Sequence, residues 1–187
     1  GGKTLLAAHT LMRLKQDYFR KINGFVLWMV PSETIYQQTL KNLRNKEHEY
    51  RKVLDRTSGG RTKILEKNDL FSKEDVHENL CVMILMLQSG SRKTKEFLKL
   101  FRDSGSNMSF FPYEDDYTQN KALLDKIPNL DVGDLIDRIN YDTISGLNIK
   151  HSIGNVLKIL KPIIIIDEGH RAKTGLAQDT INNFNPS

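Results

Sequence analysis

One cysteine, one tryptophan and no long apolar run in 187 residues narrow what this chain can be. A lone Cys81 cannot close an internal disulfide, which fits a reducing, cytoplasmic setting. It sits inside an apolar run, where a thiol is a buried structural group rather than a nucleophile. The five histidines keep no ligand spacing with Cys81 or with one another, so no zinc site is expected. No apolar stretch approaches the roughly 20 residues needed to span a bilayer. The chain opens on GGKTLL rather than on a basic start followed by an apolar block, so no signal peptide is expected. Internal repeats and low-complexity tracts are missing as well. What is present, 27% charged and 39% hydrophobic residues, suits one globular domain with a real core.

The net charge of +5 is unevenly spread. Residues 103–137 hold Asp103, Glu114, Asp115, Asp116, Asp125, Asp131, Asp134 and Asp137 against Lys121 and Lys126, a net of −6, so the remainder carries +11. A basic body with an acidic excursion suits a polyanionic partner, nucleic acid or nucleotide, although a solvated mixed-charge surface has the same composition.

Along the chain, residues 4–19 place Leu5, Ala8, Met12 and Phe19 at helical spacing. Asn23-Gly24 marks a turn before FVLWMV (25–30), a compact apolar strand stopped by Pro31. Ser32 is a natural N-cap for a helix with Tyr36, Leu40 and Leu43 on one face. Basic, polar sequence runs to Gly59-Gly60, then a short strand is expected around Thr62–Leu65 and a buried one over LCVMILML (80–87). A helix centred on Phe97 and Phe101 follows. From about 103 to 130 no period holds, which predicts an insertion over the surface. Asp131 is expected to cap a helix through Val132, Leu135, Ile136 and Ile139, and Ile153, Val156, Leu157 and Leu160 predict another. Alternating helices and continuously apolar strands predict an α/β fold, a parallel sheet with helices on both faces.

Residues 162–170, PIIIIDEGH, drive four β-branched residues through the core and end on two adjacent carboxylates, Asp167 and Glu168. Open α/β sheets keep their ligands at the carboxyl ends of strands. A plain alternative is that Asp167 caps the next turn. The other half of the pattern is Gly1-Gly2-Lys3-Thr4, which fits the end of the phosphate-binding loop G-x-x-x-x-G-K-[ST] and runs into a helix. Alone it could equally be a flexible start. Together the two halves make one nucleotide site. Glycine backbone amides and the helix N-terminus receive phosphate oxygens, and Lys3 reaches the terminal phosphates. Thr4 and Asp167 serve Mg²⁺, and Glu168 orients or deprotonates the attacking water.

The same residues, D-E-x-H after an apolar strand and downstream of G-K-T, resemble superfamily 2 helicases and translocases of the DEAD/DEAH-like kind. The stretches VPSETIYQQTLKNLR, EYRKVLDRTSGGRTKILEK, LCVMILMLQS, KTKEFLKLFRD, IPNLD and IIIIDEGHRAKT are similar to the motor domain of type III restriction enzyme Res subunits. The resemblance implies a RecA-like P-loop lobe, most of the first of two. It would be cropped within the phosphate loop, with its first strand missing, and would stop before a Thr-Ala-Thr-Pro-type motif. It also implies ATP and Mg²⁺ as cofactors and double-stranded DNA as partner. A modification (methyltransferase) subunit would read the DNA site, and a second lobe and a nuclease domain would lie outside these residues. By position, His170 would link the nucleotide site to the DNA side or the other lobe, unless it merely packs in the turn. Ser32 and Thr34 of VPSET, and Gln88-Ser89 at the end of the second apolar strand, would touch the nucleic-acid backbone, although capping alone also explains Ser32. Trp28 is expected in the core rather than as a stacking platform.

The resulting expectation is an ATP-dependent DNA translocase lobe of a type III restriction endonuclease, inactive when isolated from its partner lobe. The alternatives are another superfamily 2 DNA or RNA helicase, or a non-hydrolytic nucleotide- or DNA-binding module. Intact Lys3, Thr4, Asp167 and Glu168 argue against the last.

Overall fold

The computed structural model describes residues 2–19, 23–90, 95–105, 107–133, 148–167 and 174–187. Four strands form one sheet in the order β2-β3-β1-β4. They are β1 (Gly24–Val30), β2 (Thr62–Leu65), β3 (Leu80–Met86) and β4 (Ile163–Ile166), and every pairing is parallel. The α/β class and the all-parallel sheet are thus as the sequence predicts.

Strand alternation divides the core in two. Phe25, Leu27, Met29, Cys81, Met83 and Leu85 face one layer, while Val26, Trp28, Val30, Val82 and Ile84 face the other. Trp28, fully buried between Ile84 and Ile165 on the flanking strands, is core as expected. The isoleucines of β4 split the same way, Ile164 and Ile166 to the first layer and Ile163 and Ile165 to the second. They are half-buried rather than buried on both faces, because among the described strands β4 is paired with β1 alone. Burial raises the Cys81 thiol pKa to about 12, with the Asp75 carboxylate adding to the shift. That fits an inert structural thiol.

The second layer is built by α1 (Gly2–Arg13), α2 (Glu33–Arg44) and α3 (Glu49–Ser58). The helix expected over 4–19 is α-helical to Arg13 and widens into a π-helical segment, Leu14–Phe19. Helix α3 falls in the stretch read only as basic and polar. Tyr50, Val53, Leu54 and Thr57 keep the helical spacing, and Gly59 ends the helix at φ 63° in the left-handed region. Arg51 lies inside because its guanidinium reaches Asp55 (2.9 Å) and the carbonyls of Leu43 and Thr62 (3.1 Å each).

The first layer carries α4 (Lys73–Glu78), α5 (Lys95–Leu100), α6 (Tyr117–Lys126), α7 (Ile153–Leu160) and α8 (Thr174–Phe184). The expected surface insertion at 103–130 is only partly superficial. Phe110, Phe111, Ile127 and Leu130 are buried in this core, and Asp116 caps α6 through the Gln119 amide at 3.0 Å. The helix expected from Asp131 onwards lies mostly outside the described residues; Val132 itself bridges Ile149 in antiparallel fashion. Lys158 is fully buried, and its ammonium meets the Asn129 carbonyl, Asp131 at 3.3 Å and the Phe101 ring at 4.4 Å. A buried cation requires such partners.

Helix α7 also makes a tight contact at Gly154, where a Cβ would fall 2.4 Å from the Phe101 ring. Phe101 cannot easily yield, being stacked on Phe184 and covered by Lys158. Gly154→Ala gains up to about 1 kcal/mol of helix propensity. Overpacking of this kind costs about 1–3 kcal/mol. A net loss of stability is therefore expected, read as a lower urea midpoint at unchanged m-value. An unchanged or raised midpoint would show that Phe101 gives way freely.

A candidate nucleotide site at the carboxyl edge of the sheet

Helix α1 starts at Gly2, so the Gly-Lys-Thr segment forms its first turn, where backbone amides are unsatisfied and the helix dipole is positive. At the far end of the chain β4 delivers Asp167. Its amide donates to the Met29 carbonyl at 2.9 Å, extending the β1–β4 pairing by one residue and fixing the carboxylate just past the strand. Asp167 is only 4% exposed. The Thr4 hydroxyl donates to Asp167 Oδ2 at 2.9 Å, closing a contact between residues 163 positions apart. Two hard oxygen donors, a hydroxyl and a carboxylate, thus converge beside a helix N-terminus.

Of Lys3 the structure describes the backbone, within α1. Gly1, Glu168 and His170 lie outside the described residues, and so do the expectations attached to them.

The residues expected to touch nucleic acid sit along the same edge. Ser32 caps α2, accepting from the Ile35 amide at 3.5 Å, so the capping explanation of this serine has a structural counterpart. Thr34 is exposed in the first turn of α2. Gln88 Nε2 donates to the Pro31 carbonyl at 3.4 Å, joining the turn after β3 to the turn after β1. Ser89 shares the short 3₁₀ segment Leu87–Gly90 with Gln88. Because β1 lies between β3 and β4, the Gln88–Pro31 contact and the Thr4–Asp167 contact are neighbours along the edge.

Helix α8 was missed in the sequence, although Ala177, Ile181 and Phe184 keep an i, i+4, i+7 spacing. It packs on the Leu87–Gly90 segment. The helix that follows the Asp-Glu-Gly-His stretch therefore rests on the turn that carries Gln88.

Compared with known protein families, residues 1–187 match the model described as type III restriction enzyme, res subunit. The chain belongs to that family. No curated protein and no solved structure matches it. Membership makes this a helicase-like, ATPase-type motor domain of type III restriction enzymes at the level of the family, one that binds nucleotide and interacts with DNA in a restriction–modification setting. The parallel sheet with helices on both faces agrees with the RecA-like fold of a res subunit. No helix among the described residues is long and apolar enough to cross a membrane.

Proposed function

We propose that this chain is most of the first RecA-like lobe of an ATP-dependent DNA translocase, the motor of a type III restriction endonuclease, with hydrolysis of Mg–ATP driving movement along duplex DNA. The observation that carries this is the 2.9 Å contact between Thr4 and Asp167 at the N-terminus of α1. A buried carboxylate and a hydroxyl brought together from opposite ends of the chain are a fitting oxygen donor set for Mg²⁺, which prefers oxygen ligands and retains several waters. When bound there, the ion supplies charge neutralisation to phosphate oxygens.

The chain's own residues do the rest. Amides of Gly1, Gly2 and the first turn of α1 receive phosphate oxygens, and Lys3 adds a cation for the terminal phosphates. Glu168 accepts the proton of the attacking water. His170, on the segment leading to α8, passes the state of the site towards the Gln88 turn that α8 packs against. Ser32, Thr34, Gln88 and Ser89 hold the DNA backbone, positioning the duplex without reading bases. A second lobe, a nuclease domain and a modification subunit complete the enzyme, and the 187 residues alone do not turn over ATP, because phosphoryl transfer draws on an arginine finger worth about 10³–10⁵ in rate.

The test measures ATP hydrolysis by the intact protein with and without duplex DNA, together with displacement of a triplex-forming strand. Stimulation by duplex and ATP-dependent displacement are expected. Thr34→Ala and Gln88→Ala should weaken binding of unrelated duplex sequences alike. Hydrolysis indifferent to duplex, or stimulated by RNA instead, would remove the DNA-translocase reading. The RNA result would favour another superfamily 2 helicase.

A further inference from the structure

Helix α2 carries the exposed Thr34 in its first turn, yet its first half is lightly held. The fully buried residues of α2, Thr39, Leu40 and Leu43, all lie further along. The turn in front of the helix is tied by two long side-chain bonds, Ser32 to the Ile35 amide at 3.5 Å and Gln88 to the Pro31 carbonyl at 3.4 Å. Between the first half of α2 and the loop after β2 lies a cavity of about 220 Å³, lined by Glu33, Tyr36 and Gln37 from the helix and by Glu66 from the loop. Apolar packing does not fix the helix to the loop across such a gap.

The short bonds join α2 to that loop instead. The Tyr36 hydroxyl donates to Glu66 Oε2 at 2.8 Å, and the Arg44 guanidinium holds Oε1 at 2.8 Å. Glu66 is anchored in turn. Its amide donates to Asp69 Oδ2 at 2.8 Å, and it follows directly on Leu65, which is buried and paired with Met83 of β3. A hydrogen bond to a carboxylate is roughly twice as strong as a neutral one. Arg44 acts at the far end of α2, so Tyr36 is the link that restrains the first half. Burial, and then the Glu66 carboxylate, push the Tyr36 hydroxyl well above its ordinary pKa, so it keeps its proton and its donor role across the working pH range.

We infer that Tyr36 is a positioning residue for the motor: through Glu66 it fixes the direction in which α2 presents Thr34 to duplex DNA, without itself touching the duplex. This rests on the DNA-motor reading above and adds to it the means by which one of its contacts is aimed. Thr34 and Tyr36 lie about 3 Å apart along the helix axis, so any tilt of the first two turns moves both. A side chain that meets a ligand keeps its geometry only when hydrogen bonds behind it lock its support.

The experiment titrates the intact protein into labelled duplexes of two unrelated sequences, comparing Tyr36→Phe, Thr34→Ala, the two combined, and Gln37→Ala. Phenylalanine keeps the ring that packs in the second layer and removes only the hydroxyl. Its loss should weaken both duplexes alike, by about 3–10-fold, the worth of one hydrogen bond. Because Tyr36 acts through Thr34, the double variant should bind within about twofold of Thr34→Ala alone. Gln37 bonds Glu33 at 2.7 Å inside α2 and makes no link to the loop through that bond, so Gln37→Ala should bind as the unaltered protein does. Effects of Tyr36→Phe and Thr34→Ala that multiply in the double variant would make Tyr36 an independent contact or a merely structural residue, and overturn the inference. An equal loss in Gln37→Ala would overturn it too, by showing that any softening of α2 suffices. If Thr34→Ala weakens binding and Tyr36→Phe does not, the positioning role alone is wrong. If the unaltered protein binds neither duplex, the DNA reading falls and the positioning role with it.

Discussion

A Glu168→Gln protein should bind Mg–ATP almost as the unaltered enzyme does and hydrolyse it about 10²–10⁴-fold more slowly, the usual cost of losing a positioned general base. The argument is one of chemistry and sequence position. Asp167 is buried at the end of β4 with one oxygen taken by the Thr4 hydroxyl, and in the proposed site its carboxylate is committed to the ion. The next carboxylate in the chain is Glu168. Glutamine keeps its length and hydrogen-bonding shape but cannot take the proton. The variant should therefore accumulate with ATP bound and hold DNA without moving along it. Nucleotide affinity and single-turnover hydrolysis, measured on the intact protein, decide the matter. Unaltered turnover would remove Glu168 from catalysis. A loss of affinity as large as the loss of rate would make it a metal-binding or structural acid instead.

The strands were the legible part of the fold. A parallel sheet covered on both faces demands continuous apolar runs, and FVLWMV, LCVMILML and IIII leave little else they could be. The helices were read unevenly, for physical reasons. In α3 the apolar face is three residues and a threonine, and the buried Arg51 reads as surface until its partners on α2, α3 and β2 are known. Helix α4 buries no residue and depends on the Ser72–Asp75 capping box, a signal carried by two polar side chains. Between 103 and 130 the buried residues Phe110, Phe111, Ile127 and Leu130 follow no period, because they are anchored by loop geometry rather than by one helix face. The same holds for Lys158, whose sequence context gives no hint of Asn129 and Asp131 closing over it. The proximity of Thr4 and Asp167 was legible in another way. No local pattern links residues 163 apart, but a helix opening on Gly-Lys-Thr and a core strand ending on paired acids have complementary needs, phosphate and metal charge.

Asp167→Asn should behave in the opposite way to Glu168→Gln. Removing the negative charge should weaken Mg-dependent ATP binding about 10–100-fold, the range typical when a partner that holds a metal through its water shell is lost. The fold should be spared. Asparagine matches the shape of the buried aspartate, its carbonyl oxygen still accepts the Thr4 hydroxyl, and the backbone bond from residue 167 to Met29 does not involve the side chain. The informative comparison is ATP affinity with Mg²⁺ present and with the metal chelated, alongside a urea unfolding curve. The expected result is a large loss with metal, a small difference without it and an unchanged urea midpoint. A loss of equal size under chelation would mean that Asp167 orders the first turn of α1 rather than serving the ion. A collapse of the urea midpoint would make the Thr4–Asp167 contact a structural clasp between α1 and β4.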